Sequence, residues 1–242
     1  MTQYKRLRLA VPLAVAVAAL WMTPQSQQPA TDTKAQPSRL QRKIPDVNNF
    51  PIAEFSTPKS NDPKRNARGE KYDKSHWRVN PNVVADSTVS VDKVDFNLPA
   101  IPVEKAAAIV VGTVTHAQAY LSNDKTGVYS SFAVSIDEIL KNPGNLAVGI
   151  SIEVEREGGR VKFPSGRVHL YLISEQDMPR AGRQYVLFLT ATDISLVFEI
   201  MTGYEIRNGS VYALDDLPQP RSRDNTPAAE FMNELRTRVA SH

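Results

Sequence analysis

Short segments in which apolar residues alternate with small or polar ones are the feature of this sequence that most restricts its fold. In the segment 131–137, "SFAVSID", the apolar residues Phe132, Val134 and Ile136 occupy every second position. This period of two is typical of a strand that buries one face. Together with the apolar run before it, the segment predicts two strands within residues 110–142, joined by a turn rich in Asn, Asp and Gly.

Further segments of the same kind follow along the chain. They are 150–159, 160–163, 166–173, 183–190, 196–206 and 210–214. Gly158-Gly159 is a dipeptide that favours a two-residue hairpin turn, and a second one is Asn208-Gly209. The number and spacing of these strands predict a mainly β fold, a small OB-like barrel or sandwich of five to seven antiparallel strands within residues 99–218.

The C-terminal segment 219–242 follows a different period. Its apolar residues recur at helical spacing, at Phe231, Leu235 and Val239. Thr226 suits the capping position of a helix, and Pro227 suits the first helical position. The segment therefore predicts one amphipathic helix whose apolar face packs on the barrel.

Residues 1–22 predict an export signal. Three basic residues precede an apolar run from Leu9 to Met22. At about 1.5 Å per residue this run reaches roughly 21 Å as a helix, which is less than the ~30 Å hydrocarbon core of a bilayer. A cleaved signal peptide is therefore favoured over an uncleaved N-terminal anchor. We expect an exported protein, periplasmic or extracellular, which contacts a membrane only through residues 9–22 if these are retained.

Residues 23–98 predict a largely disordered linker. They are rich in Pro, Gln, Asn, Ser and Lys, and their apolar residues show no helical or strand period. Such a segment buries too little apolar area to offset an ordering entropy of about 1–2 kcal/mol per residue. One short edge strand is expected around Val89. Basic and aromatic residues alternate irregularly in 64–77, a pattern that can bind polyanions, but a solvated tether with Trp77 docked on the barrel is favoured because acidic residues dilute the charge.

Net charge and cysteine content narrow the kinds of site that the chain can form. The formal net charge is +3, but residues 1–98 hold 15 Lys and Arg against 9 Asp and Glu, whereas residues 99–242 hold 14 against 17. The basic character therefore lies in the leading part of the chain, and the predicted barrel is weakly acidic. Because the chain has no Cys, disulfides, thiolate metal sites and a cysteine nucleophile are excluded.

The sequence lacks the motifs of the common enzyme classes. Its four His are scattered without the spacing of a zinc site, and it has neither a glycine-rich phosphate loop nor a serine-hydrolase motif. The adjacent acids Asp137 and Glu138 would point to opposite faces of a strand. A second acidic pair, Asp215-Asp216, is interpreted as a solvated turn. No catalytic residue, metal site or cofactor is predicted, and an enzyme is the less favoured interpretation.

The candidate binding surface is a basic strip on the strands that follow Gly158-Gly159. If alternation buries the aliphatic residues of 166–173, the intervening residues line the opposite face. The predicted strip consists of Arg160, Lys162, Arg167, His169 and Tyr171. Charge and stacking of this kind can hold an anionic chain in an OB-like groove. The favoured alternative is a solvated face on which the first two pair across a hairpin with Glu153, Glu155 and Glu157.

Three motifs, which follow one another along the chain, resemble those of a group of other proteins. A Val-Gly-x-Val strand lies at Val111–Val114, a second strand ends at Ile136–Lys141, and a Gly-x-x-Tyr-Val-Leu-Phe-Leu strand lies at Gly182–Leu189. In these motifs the chain resembles a loose group of exported bacterial proteins with an OB-like β-barrel, over residues 105–215. The matching positions are mostly apolar or turn residues, so the resemblance implies an architecture and a compartment but no catalytic residues.

Three hypotheses about function remain. The favoured one is an exported, non-catalytic binding or scaffolding module of the bacterial cell envelope, which recognises an envelope protein or polymer. The second is a polyanion or nucleic-acid binder that uses the predicted strip, and the export signal and the weakly acidic barrel count against a nucleic-acid partner. The third is an envelope hydrolase with an unrecognised site, which would depend on an acid such as Asp137 or Glu138.

Overall fold

The computed structural model describes residues 47–82, 84–144 and 146–241, which form a mainly β fold with a helix at the C-terminal end. The fold class predicted from the alternating segments is thereby confirmed. The predicted signal or anchor and the first part of the predicted linker, residues 23–46, lie outside the described residues. None of the helices in the described ranges has the length and hydropathy that crossing a bilayer requires.

The described ranges contain eleven strands and three α-helices. The strands are β1 (Ile52–Glu54), β2 (Ser87–Val91), β3 (Ala108–Leu121), β4 (Val128–Lys141), β5 (Ser151–Glu157), β6 (Gly159–Lys162), β7 (Val168–Ile173), β8 (Gln184–Ala191), β9 (Val197–Arg207), β10 (Ser210–Ala213) and β11 (Thr226–Pro227). The helices are α1 (Pro63–Glu70), α2 (Pro218–Arg221) and α3 (Ala228–Ala240). Most neighbouring strands are antiparallel, but β1–β6, β2–β7 and β5–β9 are parallel pairs.

Five of the strands close into a barrel. In the order β3-β4-β5-β9-β8 each strand pairs with the next, and β8 returns to pair with β3. Alternation along β4 directs Phe132 and Val134 into the interior, where they share a core with Val154 of β5 and Leu187 of β8. Closure satisfies the backbone groups at both edges of this five-stranded sheet, as in OB-like barrels.

A second sheet, in the order β1-β6-β7-β2, is built partly from the segment predicted as a linker. Because β1, α1 and β2 lie within residues 47–98, the prediction of a largely disordered linker over 23–98 is wrong for this part. Its scattered apolar residues explain the error. Phe50 and Trp77 are only 1% and 6% exposed, since they are buried in clusters formed mainly by later residues. The short edge strand predicted in this segment is confirmed as β2.

The chain changes sheets at Gly158-Gly159, so the hairpin predicted there is wrong. β5 pairs with β4 and β9, whereas β6 pairs with β1 and β7. Positive φ angles of 110° and 143° direct the chain from one sheet into the other, a conformation that favours glycine. A Cβ on Gly158 would also lie 2.8 Å from the carbonyl oxygen of Tyr171. The hairpin predicted at Asn208-Gly209 is confirmed by the pairing of β9 with β10.

Helix α3 packs its apolar face on the outside of the barrel, as predicted. The residues of this face are the fully buried Phe231 and Leu235 and the partly buried Val239. Thr226 is not the cap, because its backbone pairs with Val211 in the β10–β11 ladder. Pro227 occupies the N-cap position and has no side-chain hydrogen bond there. No side chain caps this helix, so its start is determined by packing on the barrel.

Candidate functional site

The predicted strip does not form a single surface. In the register of β6 and β7, Arg160 lies opposite Leu170, and Val161 lies opposite His169. Residues directly opposite share a face and successive residues alternate between faces, so Arg160 and His169 project from opposite faces of the sheet. His169 and Tyr171 are also only 8% and 2% exposed, because the chain that precedes the barrel covers their face.

The three basic residues of the predicted strip have different surroundings. Arg160 Nε donates to the carbonyl oxygen of Phe50 at 2.8 Å, and Lys162 Nζ lies 3.3 Å from Glu54 Oε1. Arg167 is exposed in the turn before β7. The expectation that Arg160 and Lys162 pair with glutamates of β5 is wrong, because β5 and β6 belong to different sheets. The five residues are thus divided between two faces and a turn.

Residues 62–79, which we call the covering segment, lie across the outer face of β4 and β5. Asp62 begins the segment by capping α1, since its side chain accepts a hydrogen bond from the amide of Lys64 at 3.0 Å. Arg68, near the end of α1, is buried and forms an ion pair with the fully buried Glu155 of β5. Burial alone would lower the pKa of the Arg68 guanidinium, but the charge of Glu155 raises it above its ordinary value.

Two stacked tyrosines and a second cation complete this contact. The rings of Tyr72 and Tyr129 stack with their centroids 4.5 Å apart, and the Tyr72 hydroxyl donates to Glu155 Oε2 at 3.4 Å. Lys71 Nζ lies 2.6 Å from Glu199 Oε1 of β9. Burial, reinforced by the charge of Glu155, raises the pKa of the Tyr72 hydroxyl, and burial raises the pKa of Tyr129 to about 12. Both phenols are therefore neutral near pH 7 and act by packing and hydrogen bonding.

The face beneath the covering segment is acidic. Glu153, Glu155 and Glu157 share one side of β5, and Glu199 lies opposite Glu155 on β9. OB barrels bind oligonucleotides or oligosaccharides on the face of their second and third strands, which correspond here to β4 and β5. In this chain the same face is negatively charged and is occupied by the covering segment. A nucleic acid would therefore meet both repulsion and steric exclusion there.

The β3–β4 turn anchors the middle of the covering segment. Asp124 in this turn accepts hydrogen bonds from the backbone amides of Lys74 and Thr126, at 2.8 and 2.9 Å, and from the Ser122 hydroxyl at 2.8 Å. In return, the amide of Asp124 donates to Asp73 Oδ1 at 2.9 Å. The turn and the covering segment are thus joined by hydrogen bonds in both directions.

Asp124 makes the stability of the fold depend on pH. Desolvation opposes its ionisation, but hydrogen bonds from Thr126, Lys74 and Ser122 outweigh this effect and hold the pKa of Asp124 well below its ordinary value. A carboxyl with a lowered folded-state pKa stabilises the fold fully above its unfolded-state pKa of about 3.9, and this contribution decreases as the pH falls below that value towards the lowered folded-state pKa. We expect Asp124→Asn to reduce the drop in the free energy of unfolding between about pH 5 and pH 3, measured by urea denaturation.

The control for this prediction is Asp193→Asn, which removes an exposed carboxylate in the β8–β9 loop. We expect the drop in the free energy of unfolding to be reduced more by the Asp124 substitution than by this one. Equal reductions in the two variants would mean that the hydrogen bonds around Asp124 do not hold its carboxylate in the folded state.

A cleft lies where the covering segment meets the β3–β4 turn. Its volume is about 230 Å³, and its walls come from β1 and the turn after it, from α1, from the end of β3 and from the β3–β4 turn. The charged residues that line it are Glu54, Lys59, Arg65 and Lys125. We call it the basic cleft, because three separate parts of the chain each contribute one cation to it.

Arg65 has an unusual position in the basic cleft. Its guanidinium lies over the ring of Tyr120, 4.2 Å from the centroid, in the geometry of a cation–π interaction. Within the described part of the chain it has no carboxylate partner and donates no hydrogen bond. The ring thus holds the guanidinium in place while its N–H groups stay available to a ligand.

The other charges of the basic cleft leave it positive. Lys125 Nζ donates to the carbonyl oxygen of Phe55 at 2.8 Å, and neither Lys125 nor Lys59 has a carboxylate partner among the described residues. Glu54 lies 3.3 Å from Lys162, outside the cleft, which offsets its negative charge. The cleft therefore presents uncompensated positive charge, which attracts an anionic group.

Comparison with protein-family models and curated sequences assigns neither a family nor a function to this chain. No protein-family model matches the chain. No curated protein sequence matches it at a significant level. The resemblance to exported bacterial proteins with an OB-like barrel therefore stays a prediction, and the candidate site rests on the arrangement of its own residues.

Sequence reasoning identified the stretch that supplies Arg65 but not the basic cleft itself. The interleaved basic and aromatic residues of 64–77 were a usable signal, although the aromatic partner of Arg65 is Tyr120, from β3. Lys59 and Lys125 carry no local signal, because they are far apart in the sequence and meet only through the tertiary fold. Periodicity can place a residue on a face, but it does not show which loops meet at the end of a barrel.

The acids Asp137 and Glu138 do not converge on one point, in agreement with the prediction. Asp137 Oδ2 accepts hydrogen bonds from Thr113 Oγ1 at 3.1 Å and from Gln184 Nε2 at 2.9 Å. Glu138 instead forms an ion pair with Arg236 of α3 at 3.0 Å. In the described ranges, no group of His, Asp and Glu is arranged to hold a metal ion.

Asp215 is buried, so its interpretation as part of a solvated turn is wrong. Its side chain forms an ion pair with Arg156 of β5 at 2.6 Å, and its Oδ1 also accepts a hydrogen bond from the amide of Asp177 at 3.3 Å. Arg156 Nη1 donates in addition to the carbonyl oxygen of Asp177 at 2.5 Å. This buried polar group joins the barrel wall to two loops, which sequence spacing alone does not indicate.

Proposed function

We propose that the protein is an exported, non-catalytic binding or scaffolding module of the bacterial cell envelope, with the basic cleft as its binding site. The observation that carries the proposal is the uncompensated positive charge of Arg65, Lys59 and Lys125 around one cavity. These residues are attached to a closed barrel, and a pre-organised site loses less conformational entropy on binding. The expected partner is an envelope protein or polymer that offers an anionic group.

The N-terminal sequence supports the cellular part of the proposal. Basic residues followed by an apolar run over residues 9–22 are typical of a signal peptide. Cleavage after this run would release the protein into the periplasm or the extracellular space. Retention of the run would tether the protein to the inner membrane and keep the basic cleft close to the cell envelope.

The two alternative functions have less support. The predicted strip, on which a nucleic-acid or polyanion binder would depend, is divided between two faces, and the usual OB binding face is acidic and occupied by the covering segment. An envelope hydrolase would need an acid free to act on a substrate. Glu155 and Asp215 are instead buried and held by arginines, which suits a structural role.

The test is an in-cell crosslinking pull-down of the full-length, tagged protein from the envelope fraction. The cleft variant carries Lys59→Ser, Arg65→Ser and Lys125→Ser. We expect the wild-type protein to capture a discrete envelope partner and the cleft variant to lose it, because the three cations supply the attraction for the anionic group.

A matched control variant also removes three positive charges, at positions outside the basic cleft. It carries Arg167→Ser, Arg183→Ser and Arg207→Ser, three exposed arginines outside the basic cleft. The partner should be retained by this control. Loss of the partner in the control but not in the cleft variant would overturn the basic cleft as the binding site. Purified protein that turned over an envelope substrate would overturn the non-catalytic assignment.

A further inference from the structure

We infer that the group bound in the basic cleft is a phosphate monoester. This inference rests on the proposed function, since it names the chemistry that the same cleft would recognise. It does not depend on whether the phosphate belongs to a lipid headgroup or to a soluble molecule, because the recognised group is identical in both.

The charge of the basic cleft favours a doubly charged ligand. Lys59, Arg65 and Lys125 bring three positive charges to the cavity, while the negative charge of Glu54 is offset by Lys162. A carboxylate carries only one negative charge. A phosphate monoester carries a charge of about −1.5 to −2 near pH 7 and presents three strong acceptor oxygens, so it neutralises most of the positive charge of the cleft.

The donors of the basic cleft also suit a phosphate group. Arg65 offers a planar fork of N–H groups, none of which donates to a described residue. Lys125 uses one N–H on the carbonyl oxygen of Phe55 and retains two. Lys59 is exposed at the rim and adds a mobile point charge. A fork and two point charges that approach from different walls match a tetrahedral group better than a planar carboxylate.

The size of the basic cleft limits what it can enclose. Its volume of about 230 Å³ lies below the roughly 300–1,000 Å³ of pockets that enclose whole drug-sized ligands. It therefore holds a terminal group and not a long stretch of polymer. A phosphate at the end of a larger molecule fits this limit, since the rest of the molecule can remain outside the cleft.

The first experiment compares two soluble probes on one carbon skeleton by isothermal titration calorimetry at constant ionic strength. Glycerol phosphate carries the phosphate monoester, and glycerate carries a carboxylate in its place. We expect glycerol phosphate to bind at least tenfold more tightly to the wild-type protein. Equal affinities for the two probes would overturn the inference.

A matched pair of variants tests whether the basic cleft is responsible. Arg65→Ala removes the arginine over Tyr120, and Arg207→Ala removes an arginine that lies over Tyr212 in nearly the same way, 4.1 Å from the ring centroid. We expect Arg65→Ala to weaken glycerol phosphate binding at least tenfold and Arg207→Ala to leave it unchanged. Equal weakening in both variants would show general electrostatic attraction and would overturn the inference.

Vesicles distinguish the sources of the phosphate. Phosphatidylcholine vesicles with phosphatidic acid display a phosphate monoester, whereas vesicles with phosphatidylglycerol display a diester. Arg65-dependent binding to the first and weaker binding to the second supports the inference and assigns the phosphate to a lipid. Binding of glycerol phosphate without binding to either vesicle supports it and assigns the phosphate to a soluble molecule. Absence of binding to both monoester probes overturns it.

The outcomes of the two sets of experiments separate the inference from the proposed function. Capture of an envelope partner that depends on the basic cleft, without binding of either phosphate monoester, would leave the proposed function in place and overturn the phosphate. Binding of a phosphate monoester without capture of an envelope partner would support the phosphate and overturn the envelope function.

Discussion

Replacing Asp215 with alanine is expected to lower the free energy of unfolding by about 3–5 kcal/mol. The side chain of Asp215 is 1% exposed, and its two oxygens accept hydrogen bonds at 2.6 and 3.0 Å from Arg156, which is 2% exposed. Removal of the carboxylate leaves a buried guanidinium without a counter-charge, which is costly because water cannot solvate it. Urea denaturation of the full chain, followed by circular dichroism, measures the change.

An exposed ion pair of the same chemical type supplies the control. Glu138 and Arg236 also meet through a two-pronged contact, but their side chains are 40% and 49% exposed. Exposed pairs contribute about 0.2–1 kcal/mol, so Glu138→Ala should cost no more than that. If the Asp215 and Glu138 substitutions lowered the free energy of unfolding by equal amounts, the buried ion pair would contribute no more to stability than the exposed one.

A double variant tests the reason for the loss. Replacing Arg156 with Met and Asp215 with Leu removes both charges and leaves apolar side chains of similar size. We expect this double variant to be more stable than Asp215→Ala alone, because no unpaired charge remains buried. A double variant as unstable as the single one would show that packing of the arginine, and not its charge, determines the effect.

Glu155→Ala is expected to destabilise the protein by about 3 kcal/mol, at the low end of the range for a broken buried pair, and to release the covering segment from the barrel. The side chain of Glu155 is fully buried, and it is the common partner of Arg68, Lys71 and the Tyr72 hydroxyl. Its removal leaves the buried Arg68 with only the partly exposed Glu153 as a counter-charge. The covering segment depends on this contact because α1 itself contributes few apolar side chains to a core.

Limited digestion with trypsin measures release of the covering segment directly. Residues 64–74 contain several Lys and Arg, which are cleaved only when the segment opens. Since each tenfold change in an opening equilibrium corresponds to about 1.4 kcal/mol, we expect cleavage there to be on the order of a hundredfold faster in Glu155→Ala. Cleavage at unchanged rate would show that other contacts hold the segment.

Glu157→Ala is the matched control, since Glu157 lies on the same side of β5 and forms an ion pair with Lys93 at 2.7 Å. The Lys93 side chain is 60% exposed, so this pair should contribute no more than about 1 kcal/mol. We expect the covering segment to be cleaved in this variant at nearly the wild-type rate. Equal acceleration in the two variants would assign the effect to the loss of negative charge on β5 in general.

The two buried ion pairs have different places in the fold, and one of them bears on the candidate site. Arg156–Asp215 joins the barrel to its loops, whereas Arg68–Glu155 holds the covering segment that carries Arg65. Release of that segment would remove one wall of the basic cleft. We therefore expect Glu155→Ala to weaken ligand binding although Glu155 does not line the cleft.

The candidate site could be predicted only in part from the sequence. The basic and aromatic residues of 64–77 form a pattern that can bind polyanions, and Arg65 lies within that stretch, although the acidic residues among them favour the prediction of a solvated tether. Alternation within each strand groups Arg160 with His169 in the predicted strip, but it does not supply the register between the two strands. The hairpin predicted at Gly158-Gly159 accounts only for the expected pairing of Arg160 and Lys162 with glutamates of β5. The structure shows a crossing between sheets at Gly158-Gly159. The register of β6 with β7 places the side chains of Arg160 and His169 on opposite faces. The strip therefore failed for lack of the register between strands, and the expected glutamate pairs failed because the connection was misassigned.

The sequence by itself determined the mainly β fold, the two long strands around the polar turn, the hairpin at Asn208-Gly209 and the apolar face of the C-terminal helix. Each of these depends on periodicity or turn chemistry within a few residues, which local sequence records. The tertiary structure alone decided that Phe50 is buried, that Glu155 and Asp215 are held by arginines, and that three cations surround one cleft. These features join residues distant in the chain, and their energies arise from burial and charge pairing, which only the folded arrangement creates.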